Sequence, residues 1–198
     1  MSTIEHRGGQ APSVPSDRPA WQLPAVRAVP AVVVGVAVTF LQSHDALVGL
    51  AAFALLSLAT GAALVALRGC VPASVRRFPL VAGSAGLVAG VAAAALAIAA
   101  PSGTALKVVV AAWALVAGVA EGWAWWSSRA TSGPRARRIA ADWRFVAAFT
   151  LVAAVVFAAL PAHDVVLVGL VGAYAIIVGV FHGIAAFSAR AEPREASA

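Results

Sequence analysis

Gly169 to Arg190 reads GLVGAYAIIVGVFHGIAAFSAR. The stretch follows His163-Asp164, stays apolar for about the length that crosses a bilayer, and stops at an arginine. Its pattern occurs twice more upstream. Ala173-Tyr174-Ala175-Ile176-Ile177-Val178-Gly179 leads to Arg190 as Ala112-Trp113-Ala114-Leu115-Val116-Ala117-Gly118 leads to Arg129. Ala52-Phe53-Ala54-Leu55-Leu56 leads to Arg68 in nearly the same way, with Leu58 where the later copies carry Gly118 and Gly179. The chain reads as one helical hairpin written three times.

Composition names the solvent. Of 198 residues, 62% are hydrophobic and 11% charged, too little charge to cover the surface of a soluble domain of this length. In lipid every backbone polar group must be satisfied within its own segment, so long apolar runs are helices. The expected fold is an all-α integral membrane protein. Its six spans run roughly over Leu23 to Leu41, Ala46 to Leu67, Leu80 to Ala100, Ala105 to Trp126, Phe145 to Leu160 and Val165 to Phe187. They pair as tandem hairpins within 21–190. Residues 1–20 are polar and rich in Pro, Gly and Ser, without the apolar core of a signal peptide, and read as a disordered cytoplasmic tail. A second short tail occupies 191–198.

The first and fifth spans are short, and snorkelling of Arg27 beside Trp21 and of Arg144 beside Trp143 would lengthen them. Pro30 would kink the first span or sit in its first turn. With six spans, Arg7, Arg18, Arg27, Arg68, Arg76, Arg77, Arg129, Arg135, Arg137, Arg138, Arg144, Arg190 and Arg194 all fall on one side, and only Lys107 on the other. The positive-inside rule makes the arginine side cytoplasmic, with both termini there. Arginine-rich, Ala- and Val-rich usage points to a bacterial plasma membrane. The net charge of +6 is spread over span ends with no aromatic-basic groove, so anionic lipid headgroups account for it and nucleic acid is not needed. A lone cysteine, Cys70, rules out an internal disulfide.

The outer turns are Gln42 to Asp45, Pro101 to Thr104 and Pro161 to Asp164. Connections this short predict antiparallel neighbours and leave no room for an outer domain. Together the tandem hairpin and the pattern of aromatic, small residues, Gly and terminal Arg resemble the HdeD-like acid-resistance membrane protein family, small six-span bacterial proteins. The similarity is clearest over Gly172 to Val180 with Ala185-Ala186-Phe187 and Arg190, and is repeated by Trp113, Gly118 and Arg129. It implies a non-enzymatic inner-membrane protein linked to acid or general stress. It carries over no catalytic residue.

Glu121 is the costliest residue in lipid, about 2.5 kcal/mol or more at a span centre. His182 holds the same place in the third copy, and Gly61 in the first. Three readings are open: side chains snorkelling to nearby headgroups, a Glu121–His182 contact inside the bundle, and a proton relay or ion coupling. Asp45 and Asp164 each precede a span, where a carboxylate caps free N–H groups at the positive end of the helix dipole. His44 and His163 beside them are candidate pH-sensitive groups on the outer face. Two histidines make a weak metal signature. Gly86 with Gly90, Gly118 with Gly122, and Gly179 with Gly183 are GxxxG pairs, expected to let helices pack closely within the bundle or in a homodimer. Trp123, Trp125 and Trp126 before Arg129 read as an interfacial anchor. There is no HExxH, GxSxG, phosphate-binding loop or close carboxylate pair. No enzyme activity, cofactor or metal is expected. Besides the stress-protein reading stand a small proton-coupled carrier using Glu121 and His182, and an assembly partner of another membrane protein.

Overall fold

The computed structural model describes residues 21–71, 75–129 and 134–191. The two expected tails fall outside these residues, apart from Ala191. Among the described residues six α-helices follow in order: α1 (Gln22–Phe40), α2 (Ala46–Ala66), α3 (Arg77–Ala99), α4 (Gly103–Ser128), α5 (Pro134–Ala159) and α6 (Asp164–Ala191), with a 3-10 turn at Arg68–Cys70 after α2. All six contain a stretch long and apolar enough to cross a membrane. This is a multi-pass membrane protein, and there is no strand among the described residues. Two threonine hydroxyls inside the spans turn back on their own helices, Thr39 to the Gly35 carbonyl (2.8 Å) and Thr60 to that of Leu56 (2.7 Å).

Two elements differ from the sequence expectation. The fifth helix begins at Pro134, so Arg135, Arg137, Arg138 and Arg144, expected in or beside a loop, lie on a helix. Proline is pre-set for a first helical position and lacks the N–H that would be orphaned there, and the Ala and Arg residues that follow favour helix. Pro30 lies well inside α1, past its first turn. Its missing N–H leaves the carbonyl of Val26, next to Arg27, without its usual partner.

The larger correction concerns who packs on whom. The short outer turns keep each hairpin together, yet the most extensive helix pairs are α2 with α3, α4 with α5, and α1 with α6. Each joins one hairpin to the next, and the third closes the ring. Glycine is the reason. A Cβ on Gly61 would lie 2.7 Å from the Gly83 carbonyl oxygen and 2.9 Å from the Leu87 nitrogen, so α2 and α3 meet backbone to backbone. Gly35 on α1 and Gly179 on α6 do the same for the closing seam, where Gly172 receives the Val38 side chain. Within the third hairpin the opposite holds. Phe145 stacks on Phe181 at 4.4 Å and Phe149 on Tyr174 at 5.6 Å, and these rings hold the α5 and α6 backbones apart.

The even-numbered helices meet along the middle, and equivalent positions of the three copies form layers there. Leu50, Val110 and Val171 are buried together in one core cluster. Next come Phe53, Trp113 and Tyr174, edge to face at 5.3 Å and 5.8 Å. Ala54, Ala114 and Ala175 follow, all buried. At the short-turn end, Asp45 caps α2 by accepting from the Val48 N–H at 2.9 Å, and Ser102 caps α4 through the Ala105 N–H at 3.2 Å. Asp164 departs from the expectation that it caps its own helix. It is the first residue of α6, and its carboxylate accepts instead from the Ala46 N–H at the start of α2, 3.2 Å away. Lys107 spans from α4 to the Leu160 carbonyl at 2.7 Å, satisfying an acceptor at the end of α5.

Candidate functional site

About two helical turns beyond the buried alanines, the axis turns polar. Glu121 is 2% exposed, and its Oε1 accepts from the Arg27 guanidinium at 2.5 Å. Arg27 comes from α1, and its side chain is 11% exposed. This corrects the sequence reading twice: Arg27 turns inward rather than snorkelling beside Trp21, and Glu121 does not reach for headgroups. An unpaired carboxylate there would be prohibitively placed, and the guanidinium supplies the compensating charge. Trp21 takes a different cation, with Arg190 of α6 over its ring at 5.5 Å.

His182 is also buried, and it lines the same cavity as Glu121. The two side chains share a space without a hydrogen bond between them: Glu121 Oε2 and His182 Nε2 are each buried with no partner. Thr150 of α5 and Tyr174 of α6 complete the polar wall, their hydroxyls 3.0 Å apart. All six helices contribute to this cavity of about 30 Å³, which is room for one or two water molecules. Apolar packing flanks it towards both ends of the bundle. Towards the short turns stands the aromatic layer of Trp113 and Tyr174 and the main core behind it. Towards the arginine-rich end, Leu23, Leu64, Phe78, Ala124 and Trp143 form a second core cluster. Chemically the site offers a carboxylate oxygen and an imidazole nitrogen facing one small space.

The glycines sort unevenly. Gly86 and Gly90 both pack on α2, and Gly118 and Gly179 pack on Leu151 and Val32. Gly122 and Gly183 do not serve as close-packing positions: a Cβ at the first would meet only Ala147 at 3.9 Å, and at the second nothing within 4 Å. Spacing alone misplaced those two. His44 is half buried and His163 exposed at the outer end, and no group of three or more metal-ligating residues occurs among the described residues. Trp123 and Trp126 are exposed, with Arg129 over the Trp126 ring at 3.0 Å. Sequence reasoning missed Arg27, Thr150 and Tyr174 as members of the polar cluster. The available signal was Tyr174, which sits in register with Phe53 and Trp113 but alone brings a hydroxyl.

No family model matches the chain, and neither does any curated protein or solved structure.

Proposed function

We propose that this is a small, non-enzymatic protein of a bacterial inner membrane, both termini cytoplasmic, that contributes to acid or general stress tolerance by exchanging protons at its buried core. The arginine distribution supports the orientation, and the resemblance to HdeD-like proteins supports the stress role. One observation supports proton exchange above a purely structural core. Glu121 Oε2 and His182 Nε2 stand buried and unpartnered in one shared cavity. A scaffold has no use for this, since apolar residues of similar volume commonly replace a buried ion pair at no loss of stability. The adjacent guanidinium disfavours a metal cation at this site.

The test is proton flux into liposomes holding purified protein, across an imposed pH gradient. Flux from the wild type that disappears in Glu121→Gln and falls in His182→Gln, with both variants folded and inserted, is the expected result. An absence of flux from verified folded wild type sinks the carrier reading and leaves the assembly-partner one, for which α6 offers an open face at Gly169 and Gly183.

A further inference from the structure

A proton that neutralises Glu121 leaves its partner behind. Arg27 cannot shed its charge in a protein, and its Nη2 is the group paired with Glu121. The other titratable side chains lining the cavity are Tyr174 and His182, both from α6. Among the described residues, α2, α3 and α5 bring only apolar and hydroxyl side chains to the wall, the hydroxyls being Thr60 and Thr150. With Glu121 ionised the pair is neutral. With Glu121 protonated, a guanidinium 11% exposed stands uncompensated between two apolar clusters, which low-dielectric surroundings resist strongly.

What the cavity then presents is a ring of donors. The guanidinium regains the N–H that Glu121 held, and the protonated carboxyl adds an O–H. Thr150 and Tyr174 supply a third donor: one hydroxyl gives its hydrogen to the other, and the receiving one keeps its own hydrogen free. The space of about 30 Å³ exceeds what one water needs and so admits a monatomic anion. We propose that the cavity between Arg27, Glu121, Thr150 and Tyr174 is a site for a small inorganic anion such as chloride, filled when Glu121 is protonated, so that proton and anion are taken up as a neutral pair. The inference rests on the proton-exchange reading above and names the co-substrate of that site.

The experiment uses purified full-length protein in mildly acidic, weakly buffered detergent solution, to which sodium chloride or sodium gluconate is added. Chloride should draw up to about one proton per chain from solution, and gluconate none. By reciprocity, chloride affinity measured by calorimetry should fall at least about fivefold from mildly acidic to mildly alkaline solution. Glu121→Gln, which imitates the protonated carboxyl, should bind chloride without proton uptake and without pH dependence. Arg27→Gln combined with Glu121→Gln, a neutral pair of similar shape, should lose chloride binding. Equal proton uptake in chloride and gluconate overturns the inference, because Arg27 then finds its compensation elsewhere; Glu121-dependent flux in liposomes would still stand. Chloride-linked uptake without any transmembrane flux does the reverse, establishing the anion site and removing the carrier. Neither signal from folded protein removes both.

Discussion

The α2–α3 seam and the α4–α5 seam are the same joint with its parts exchanged. In the first, Leu58 of α2 packs over Gly90 of α3; in the second, Leu151 of α5 packs over Gly118 of α4. Leu58 corresponds to Gly118 and Gly90 to Leu151 in the repeat, so one large and one small residue are kept while the helix supplying each is switched. One turn further along, the copies part company. Gly61 meets the bare backbone of α3, whereas its counterparts Glu121 and His182 carry side chains into the cavity. The comparison teaches that the first copy spends this position on closure, and the later two on chemistry.

The heaviest blow to this division falls on the charge pair. Arg27→Met leaves a buried carboxylate with neither oxygen paired, and should lower stability by about 3–5 kcal/mol. Arg27→Met with Glu121→Leu should recover most or all of that loss. Thermal unfolding in one detergent compares them. A single variant as stable as wild type would mean that Glu121 sits there without needing Arg27.

Next in size is Gly61. Alanine there sets a Cβ against backbone atoms of α3, which cannot rotate away as a side chain would, so Gly61→Ala should cost about 1–3 kcal/mol. Gly183→Ala, with nothing within 4 Å, should change stability by no more than about 0.5 kcal/mol. If the two substitutions behave alike, the seam is looser than drawn.

The exchanged joint invites a third experiment. Leu58→Gly opens a hole and Gly90→Leu overfills the seam, each destabilising; together they rebuild the arrangement of Gly118 and Leu151. The double variant should be more stable than the sum of the singles by about 0.5–3 kcal/mol, the usual range for contacting residues. Strict additivity would show that the seam does not read these two side chains as a pair.

How far the sequence foretold all this depended on where the information lay. The register of Phe53, Trp113 and Tyr174 was legible in the repeat; that the three rings meet around one axis came from the structure. The number of spans followed from apolar length, whereas the early start of α5 at Pro134 did not. The seams were not legible. The residue that compensates a missing glycine sits on another helix, as Gly90 does for Leu58, and spacing along one helix carries no record of its neighbour. In a chain with 17 glycines, GxxxG spacing also arises where nothing packs, as at Gly183. Arg27 was hidden by its address: an arginine near a span end beside a tryptophan reads as a snorkelling anchor, and only Glu121 on a distant helix draws it inward.

The smallest expected effect lies at the outer turns, where the first and third copies share His-Asp but use the aspartate differently. Asp45 serves its own helix; Asp164 reaches across to α2. The Val48 N–H and then the Ser43 hydroxyl favour the ionised form of the Asp45 carboxyl and hold its pKa below the ordinary 3.8. A carboxyl with a depressed folded-state pKa contributes stability in full above the unfolded value and loses it as pH falls through the folded one. Asparagine is an equally good cap that does not titrate. The unfolding midpoint of Asp45→Asn should therefore lie slightly below wild type at neutral pH, and the two curves should converge on acidification below 3.8. Parallel curves across that range would show that the Asp45 charge contributes nothing beyond the hydrogen bond. Because Asp45 is fully exposed, added salt should shrink the difference at neutral pH, whereas a loss from Arg27→Met should survive it, separating the wet outer rim of the repeat from its dry core.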